Sequence, residues 1–150
     1  MHSGIFYKGR VLFFLDGKLY HEEDNMVVNT GLTLASDLLF TATNSQVTHM
    51  GLGSGTTAEA PTQTALVTPL MISGSVQRKV FDAAPTRAGA VTTINCTFAP
   101  GQATGSVNEA GLFTAVSAGI MFSRIKTGVT IPKDAGAELR VQWVITAQRP

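Results

Sequence analysis

The feature that most constrains the fold is a two-residue alternation of side chains near the C-terminus. Over residues 138–147, every second position is apolar and most of the positions between them are polar. The apolar set is Leu139, Val141, Trp143, Ile145 and Ala147. Because successive side chains of a β-strand lie on opposite faces, this pattern predicts a strand with one face in a core. Residues 92–98 repeat it, with Ile94, Cys96 and Phe98 as the apolar set.

Turn signals separate further short apolar segments. Asp16-Gly17 ends the apolar run at residues 10–15 and is a strong hairpin signal. Residues 18–20 are the predicted returning strand. Residues 21–25 are predicted to form a polar, acidic loop.

Helical spacing is confined to residues 26–40. Asn29 or Thr30 is the predicted N-cap. Apolar residues then recur near a period of 3.6, at Leu32, Ala35, Leu38 and Leu39. The pattern indicates one helix of about three turns that packs on the sheet.

About six to eight short strands with turns between them predict an all-β fold. We expect a single antiparallel sandwich, or a jelly-roll-like barrel, with one short helix. Residues 1–24 are interpreted as an N-terminal hairpin or arm that reaches a neighbour. Residues 25–150 form the expected β-sandwich domain.

The chain carries little charge. Only 14% of its 150 residues are charged, against about 25% in an average soluble domain, and the mean hydropathy is +0.18. One interpretation is a compact core beneath an uncharged Thr/Ser/Gly-rich surface. The other, which we favour, is a surface partly hidden in an assembly, since interface cores are depleted of charge. The net charge of +1 gives no basic footprint for nucleic acid, and no apolar run is long enough for a membrane span.

No motif predicts catalysis, a cofactor or a metal. The glycine-rich residues 51–57 lack the lysine of a phosphate loop and predict a strand followed by a tight turn. The run from His21 to Asp24 is adjacent in sequence and has no second ligand cluster, so a solvated acidic loop is favoured over a metal site. His49 is interpreted as a structural histidine, and Cys96 as a small buried hydrophobe.

Glu109 has two interpretations. It begins the apolar segment at residues 109–113, where a carboxylate is unusual. The favoured interpretation is a surface acid that caps a turn or pairs with Arg124 or Lys126. The alternative is a fixed salt bridge between subunits.

The order of several segments resembles a group of small structural proteins of tailed-phage particles. They share an Asn-x-Val-x-x-x-Gly helix start, an aliphatic strand ending in Gly-x-Gly-x-Thr, and a Pro-x-x-x-Thr-Ala-Leu loop. An Asn-Glu-x-Gly-Leu-Phe segment, an aromatic-Ser/Ala-Arg strand, a Lys turn and a Trp-containing last strand follow. The matching segments are residues 25–31, 50–57, 61–66, 108–113 and 122–124, Lys133 and residues 141–145.

The resemblance implies a non-enzymatic virion protein made in the host cytoplasm. It implies either a capsid decoration (cement) protein or a tail or fibre component. The expected partners are the major capsid protein or other virion proteins, and further copies of the chain in a dimer or trimer, with no nucleic acid or membrane. We expect structural or interface roles for Phe13, Phe14, Glu109, Phe113, Arg124 and Trp143.

Two alternatives stay open. A tail or fibre module that binds a host surface receptor, including a glycan, needs exposed aromatics, and the chain has one Trp and two Tyr. A small enzyme such as a wall hydrolase is the other alternative, for which a turnover assay on cell wall is the test.

Overall fold

The computed structural model describes residues 4–150 and contains two antiparallel sheets of five strands each. In spatial order, the first sheet contains β2 (Lys18–Asp24), β1 (Phe6–Leu15), β10 (Leu139–Gln148), β7 (Val91–Phe98) and β6 (Thr86–Ala88). The second sheet contains β3 (Met26–Val27), β9 (Met121–Lys133), β8 (Gly105–Phe113), β4 (His49–Gly53) and β5 (Arg78–Val80). The predicted sandwich is confirmed, and the two sheets do not join into a closed barrel.

The core lies between the two sheets, as the alternation predicts. Leu139, Val141 and Trp143 of β10 are fully buried, whereas the residues between them are partly exposed. Ile94, Cys96 and Phe98 of β7 are buried in the same way. They pack against apolar residues of the second sheet such as Met50, Leu52, Ala110, Leu112 and Ile125.

The predicted hairpin at Asp16-Gly17 is confirmed. Both residues have positive φ angles (49° and 82°), as tight hairpin turns between twisted strands require. β1 pairs with β2 on one side and along all ten of its residues with β10 on the other. The hairpin therefore supplies two strands of the first sheet, and the division of the chain at residue 24 stays a prediction.

The acidic loop predicted at residues 21–25 is wrong, because most of this segment belongs to β2. The two-residue alternation of side chains again explains why this segment is a strand. Glu22 and Asp24 lie on the outer face and pair with Arg10 of β1, and His21 lies on the inner face, stacked on Phe13. Cross-strand pairing of opposite charges stabilises this strand, although its polar composition is typical of a loop.

Asn25 carries the chain from the first sheet to the second. Its backbone N–H donates to Gly9 O at 3.0 Å, and its Oδ1 accepts from Trp143 Nε1 at 3.3 Å. A Cβ on Gly9 would lie 1.6 Å from that Oδ1, so glycine leaves the space that the amide fills. The crossover thereby supplies the partner that a buried indole N–H needs.

The helix α1 (Asn29–Phe40) lies against β9, with Gly31 and Leu34 buried. A Cβ on Gly31 would lie 1.9 Å from Phe122 O, so the glycine allows close approach. The predicted side-chain N-cap is wrong. The N-cap is Val28, and the N–H groups of Val28 and Asn29 donate to the carbonyls of Phe122 and Pro61 instead.

Candidate functional site

The outer face of the second sheet is covered by the chain's own loop, residues 54–77. A backbone hydrogen bond from Leu70 N to Leu52 O at 2.8 Å attaches the loop to β4, and one from Ser54 N to Thr68 O at 2.9 Å joins two parts of the loop. Leu66 of the loop packs with Phe113, Met121 and Val28 in a small core of its own. Both faces of this sheet are therefore largely buried.

A buried carboxylate holds this loop down. Glu109 is fully buried on β8, and its two oxygens accept from Val67 N at 3.1 Å and Thr68 N at 2.9 Å. The same carboxylate accepts from Arg124 Nη2 at 2.6 Å. A buried charge is tolerated only when it is paired and hydrogen-bonded, and both conditions are met here.

Arg124 of β9 connects the carboxylate to a second part of the loop. Its side chain is fully buried, and its Nη1 donates to Gln63 Oε1 at 3.1 Å. Its Nη2 also donates to Thr57 O at 3.0 Å. Among residues 4–150 no acceptor lies within reach of its Nε. We call this arrangement the Glu109 clamp, consisting of Glu109, Arg124, Gln63 and the backbone at Thr57, Val67 and Thr68.

The glycines of the Gly-rich segment make room for the clamp. A Cβ on Gly53 would lie 2.3 Å from Glu109 Oε1, and a Cβ on Gly55 would lie 2.7 Å from Glu109 Oε2. Neither glycine has a positive φ angle. The tight turn predicted after residue 53 is wrong, because residues 54–60 form no turn, and the two glycines are required for space rather than for backbone conformation.

The predicted pairing of Glu109 with Arg124 is confirmed within one chain, but the pair is buried rather than at the surface. Phe13, Phe113 and Trp143 are also buried, and each packs inside the protein. Phe14 is partly exposed, with the Arg140 guanidinium 4.1 Å from its ring centroid. A structural role fits all six predicted residues, and their role at an interface stays a prediction.

The other singled-out side chains have local partners. His49 Nδ1 lies 2.8 Å from Thr48 Oγ1, and burial, together with nearby Arg78, lowers the pKa of His49. Burial raises the pKa of Cys96 to about 12, which keeps its thiol protonated and unreactive near neutral pH. His, Cys, Asp and Glu side chains form no cluster able to hold a metal ion within residues 4–150.

Sequence reasoning gave no site role to two polar residues, the half-buried Gln63 and the buried Lys133, of which Lys133 was named only as part of the resemblance. Gln63 lies in a loop where nothing marks it, yet it holds both Arg124 and, by accepting from Ala60 N at 3.0 Å, its own loop. Lys133 is buried at the end of β9, where its Nζ donates to Ala99 O at 3.1 Å and to Ala137 O. Burial lowers the pKa of Lys133.

The chain is thus a two-sheet antiparallel β-sandwich with one short helix and a loop that the Glu109 clamp holds over the second sheet. No protein-family model, curated protein or solved structure matches this chain. In residues 4–150, α1 is too short to cross a membrane, and no other helix there could do so.

Proposed function

We propose that the chain is a structural protein of a tailed-phage particle, and specifically a capsid decoration protein that stabilises the head through protein–protein contacts. Its partners are the major capsid protein and further copies of itself. The role is non-enzymatic, and it requires neither metal nor cofactor.

One observation carries the proposal. Four of the segments that resemble phage structural proteins meet at the Glu109 clamp. Residues 50–57 supply the glycines and Thr57 O, residues 61–66 supply Gln63 and Leu66, and the strands β8 and β9 supply the ion pair. Segments that build one site in the folded protein are expected to occur together in related sequences. Because these four segments meet at the clamp, they support a resemblance between whole folds rather than between separate short motifs.

The surface also suits a protein that is covered by neighbours. With 14% charged residues the chain has few charges to display, and several of these are held in internal pairs or hydrogen bonds. Large apolar side chains remain exposed, including Phe40 at 81% and Leu39 at 66%. Interface cores have this composition, poor in charge and rich in aromatic and apolar groups.

The proposed mechanism is stabilisation by binding. Burying apolar surface contributes about 25 cal/mol per Å² of area removed from water, and a stable interface covers about 800 Å² per partner. Association costs offset much of this energy. A ligand that binds the assembled head and not its dissociated subunits shifts the equilibrium toward the assembled state.

The test is to add the purified chain to phage heads assembled without it. We expect the chain to co-sediment with heads and to raise the temperature at which they dissociate, whereas heads of an unrelated phage serve as the control. A chain that stays in the supernatant at saturating concentration contradicts the proposal. A copy number per virion matching a tail ring, rather than the major capsid protein, would instead favour the tail or fibre role.

A further inference from the structure

A half-buried arginine, Arg78 of β5, lies on an aromatic ring that two glycines make room for. The ring belongs to Phe113 of β8, and a Cβ on Gly111 or Gly51 would come within 3.0 Å or 3.4 Å of it. The guanidinium carbon of Arg78 lies 3.7 Å from the centroid of this ring. Because Phe113 is only 1% exposed, the ring is a fixed support on which the cation stacks.

The loop between β8 and β9 holds one end of the Arg78 guanidinium. Its Nη1 donates to Ala115 O at 3.1 Å and to Ala118 O at 2.6 Å. Ala118 has a φ angle of 52°, a left-handed conformation that a residue with a side chain adopts only where surrounding contacts offset its cost. The bend at Ala118 thus presents a carbonyl that fixes the orientation of Arg78.

The other edge of the guanidinium can still bind a ligand. Within residues 4–150, Nε and Nη2 of Arg78 make no hydrogen bond, and neither atom is among the buried polar atoms without a partner, so both reach the surface. No carboxylate of the described chain pairs with Arg78, unlike Arg10 and Arg124. Burial lowers the pKa of Arg78, because its charge has lost part of its hydration and gains no counter-charge.

A pocket of about 250 Å³ opens beside this arginine. Among the described residues that line it, Arg78 is the single charged one. Ser75 and Ser117 supply hydroxyl groups, which are further hydrogen-bond donors. Val76 and Val116, 37% and 47% exposed, add apolar walls. The pocket therefore combines one oriented cation with hydroxyl groups and apolar surface.

We propose that this pocket binds a carboxylate, and specifically the acidic side chain of a partner protein. A carboxylate is planar and carries one negative charge, which matches the paired N–H groups and the single charge of Arg78. The methylene groups of an acidic side chain lie against the two valines. The inference goes beyond the proposed function, because it holds whether or not the partner belongs to a phage particle.

The single positive charge disfavours a phosphate. Near neutral pH a phosphate group carries about 1.5 to 2 negative charges, and one guanidinium leaves part of this charge uncompensated. His49 does not supply a second cation, because burial and the charge of Arg78 lower its pKa. The apolar walls likewise offer no donor to the remaining phosphate oxygens.

The test follows the purified full chain by heteronuclear NMR near neutral pH and includes the arginine Nε–H resonances. The probe is a blocked Ala-Glu-Ala peptide, added at constant ionic strength because salt screens exposed charges. The same peptide with Gln in place of Glu is its uncharged counterpart, and inorganic phosphate is the rival anion. Arg140 is the matched control within the same spectrum. It is also half-buried against an aromatic ring, that of Phe14, but it does not line this pocket.

We expect the Glu peptide to shift the Arg78 Nε–H resonance in a saturable way, with a dissociation constant in the millimolar range, and to leave that of Arg140 in place. Arg78→Lys keeps the charge but loses the paired donors, so it should weaken binding at least about tenfold, whereas Arg140→Lys should change it less than about twofold. Circular dichroism establishes that each variant folds. If Arg78→Lys does not, the comparison of the two arginines in the wild-type chain still decides.

Four results would each overturn the inference. They are the absence of a saturable shift, equal shifts with the Glu and Gln peptides, equal shifts at Arg78 and Arg140, and tighter binding of phosphate than of the Glu peptide. Because no phage head is present, the outcome is independent of capsid binding. A chain that binds heads but not the peptide loses the carboxylate site alone, and one that binds the peptide but not heads loses the decoration role alone.

Discussion

The outer faces of the two sheets use ion pairs in opposite ways. On the first sheet, Arg10 pairs with Glu22 at 3.3 Å and with Asp24 at 3.1 Å, and all three side chains are about half exposed. On the second sheet, Glu109 and Arg124 pair at 2.6 Å with no exposure at all. The contacts have similar chemistry, but one group lies in water and the other beneath a loop.

Burial, rather than the contact itself, sets how much an ion pair contributes to stability. Water screens an exposed pair, which typically contributes about 0–1 kcal/mol. In a buried pair, each partner is there only because the other compensates its charge, and removing one partner costs about 3–5 kcal/mol. The exposed pairs of the first sheet add little to the stability of its edge strand β2. The buried pair of the second sheet holds the loop of residues 54–77 against that sheet.

The largest effect is expected from Arg124→Met, which leaves the Glu109 carboxylate buried without its counter-charge. We expect the free energy of unfolding to fall by about 3–5 kcal/mol. Urea titration followed by tryptophan fluorescence measures the loss, since Trp143 is the single Trp and lies in the core.

Glu109→Gln in the same background is the matched control. The double variant removes the stranded charge and keeps an acceptor for the backbone at Val67 or Thr68, so it should recover part of the loss. A double variant less stable than Arg124→Met alone would show that the charge is not the reason for the loss.

A smaller effect is expected from Gly53→Ala, which places a methyl group 2.3 Å from Glu109 Oε1 and 2.7 Å from Thr68 O. Such overpacking typically costs about 1–3 kcal/mol. Gly136→Ala is the control, because a Cβ there meets nothing within 4 Å. Equal thermal midpoints for the two variants would contradict the role of Gly53 in making room for the clamp.

Phe14→Ala tests the partly exposed face of the first sheet. It removes a half-buried ring and its contact with Arg140, whose guanidinium lies 4.1 Å from the ring centroid. We expect a loss of about 1–2 kcal/mol from reduced burial and the lost cation–π contact. Chemical denaturation of Phe14→Ala, Arg140→Ala and the double variant isolates the pairwise contribution, and purely additive losses would mean that the contact contributes nothing.

The smallest effect is expected from Arg10→Ala, which breaks both exposed ion pairs of the first sheet. A loss of about 0.2–1 kcal/mol is expected, and it should shrink further in high salt because exposed charges are screened. Thermal unfolding at low and high salt provides the measurement. A loss as large as that of Arg124→Met would remove the contrast between the two sheets.

Local patterns explain how much of the fold was predictable. The alternation in β7 and β10, the turn at Asp16-Gly17 and the helical spacing of α1 each depend on neighbours in sequence, and all three were predicted correctly. β2 was missed because its charged residues resemble a loop until Arg10 of β1 is placed beside them. The N-cap was missed because α1 is capped by the backbone of distant segments, Phe122 and Pro61.

The candidate site was only partly predictable for the same reason. Glu109 stood out because a carboxylate within an apolar strand is unusual, and Arg124 was named among its possible partners. Gln63 and the N–H groups of Val67 and Thr68 gave no signal, because any residue supplies a backbone N–H and the loop is irregular.

The amino-acid sequence was sufficient to predict that the fold is all-β, that β7 and β10 are strands and which face of each is apolar, because side-chain period and turn chemistry act between near neighbours. The three-dimensional fold was needed to see that the outer face of the second sheet is covered, that Glu109 is buried rather than exposed, and that Gly53 and Gly55 leave space for its carboxylate. Those properties depend on residues far apart in the chain meeting in a closed interior, where the loss of water changes the energy of every charge.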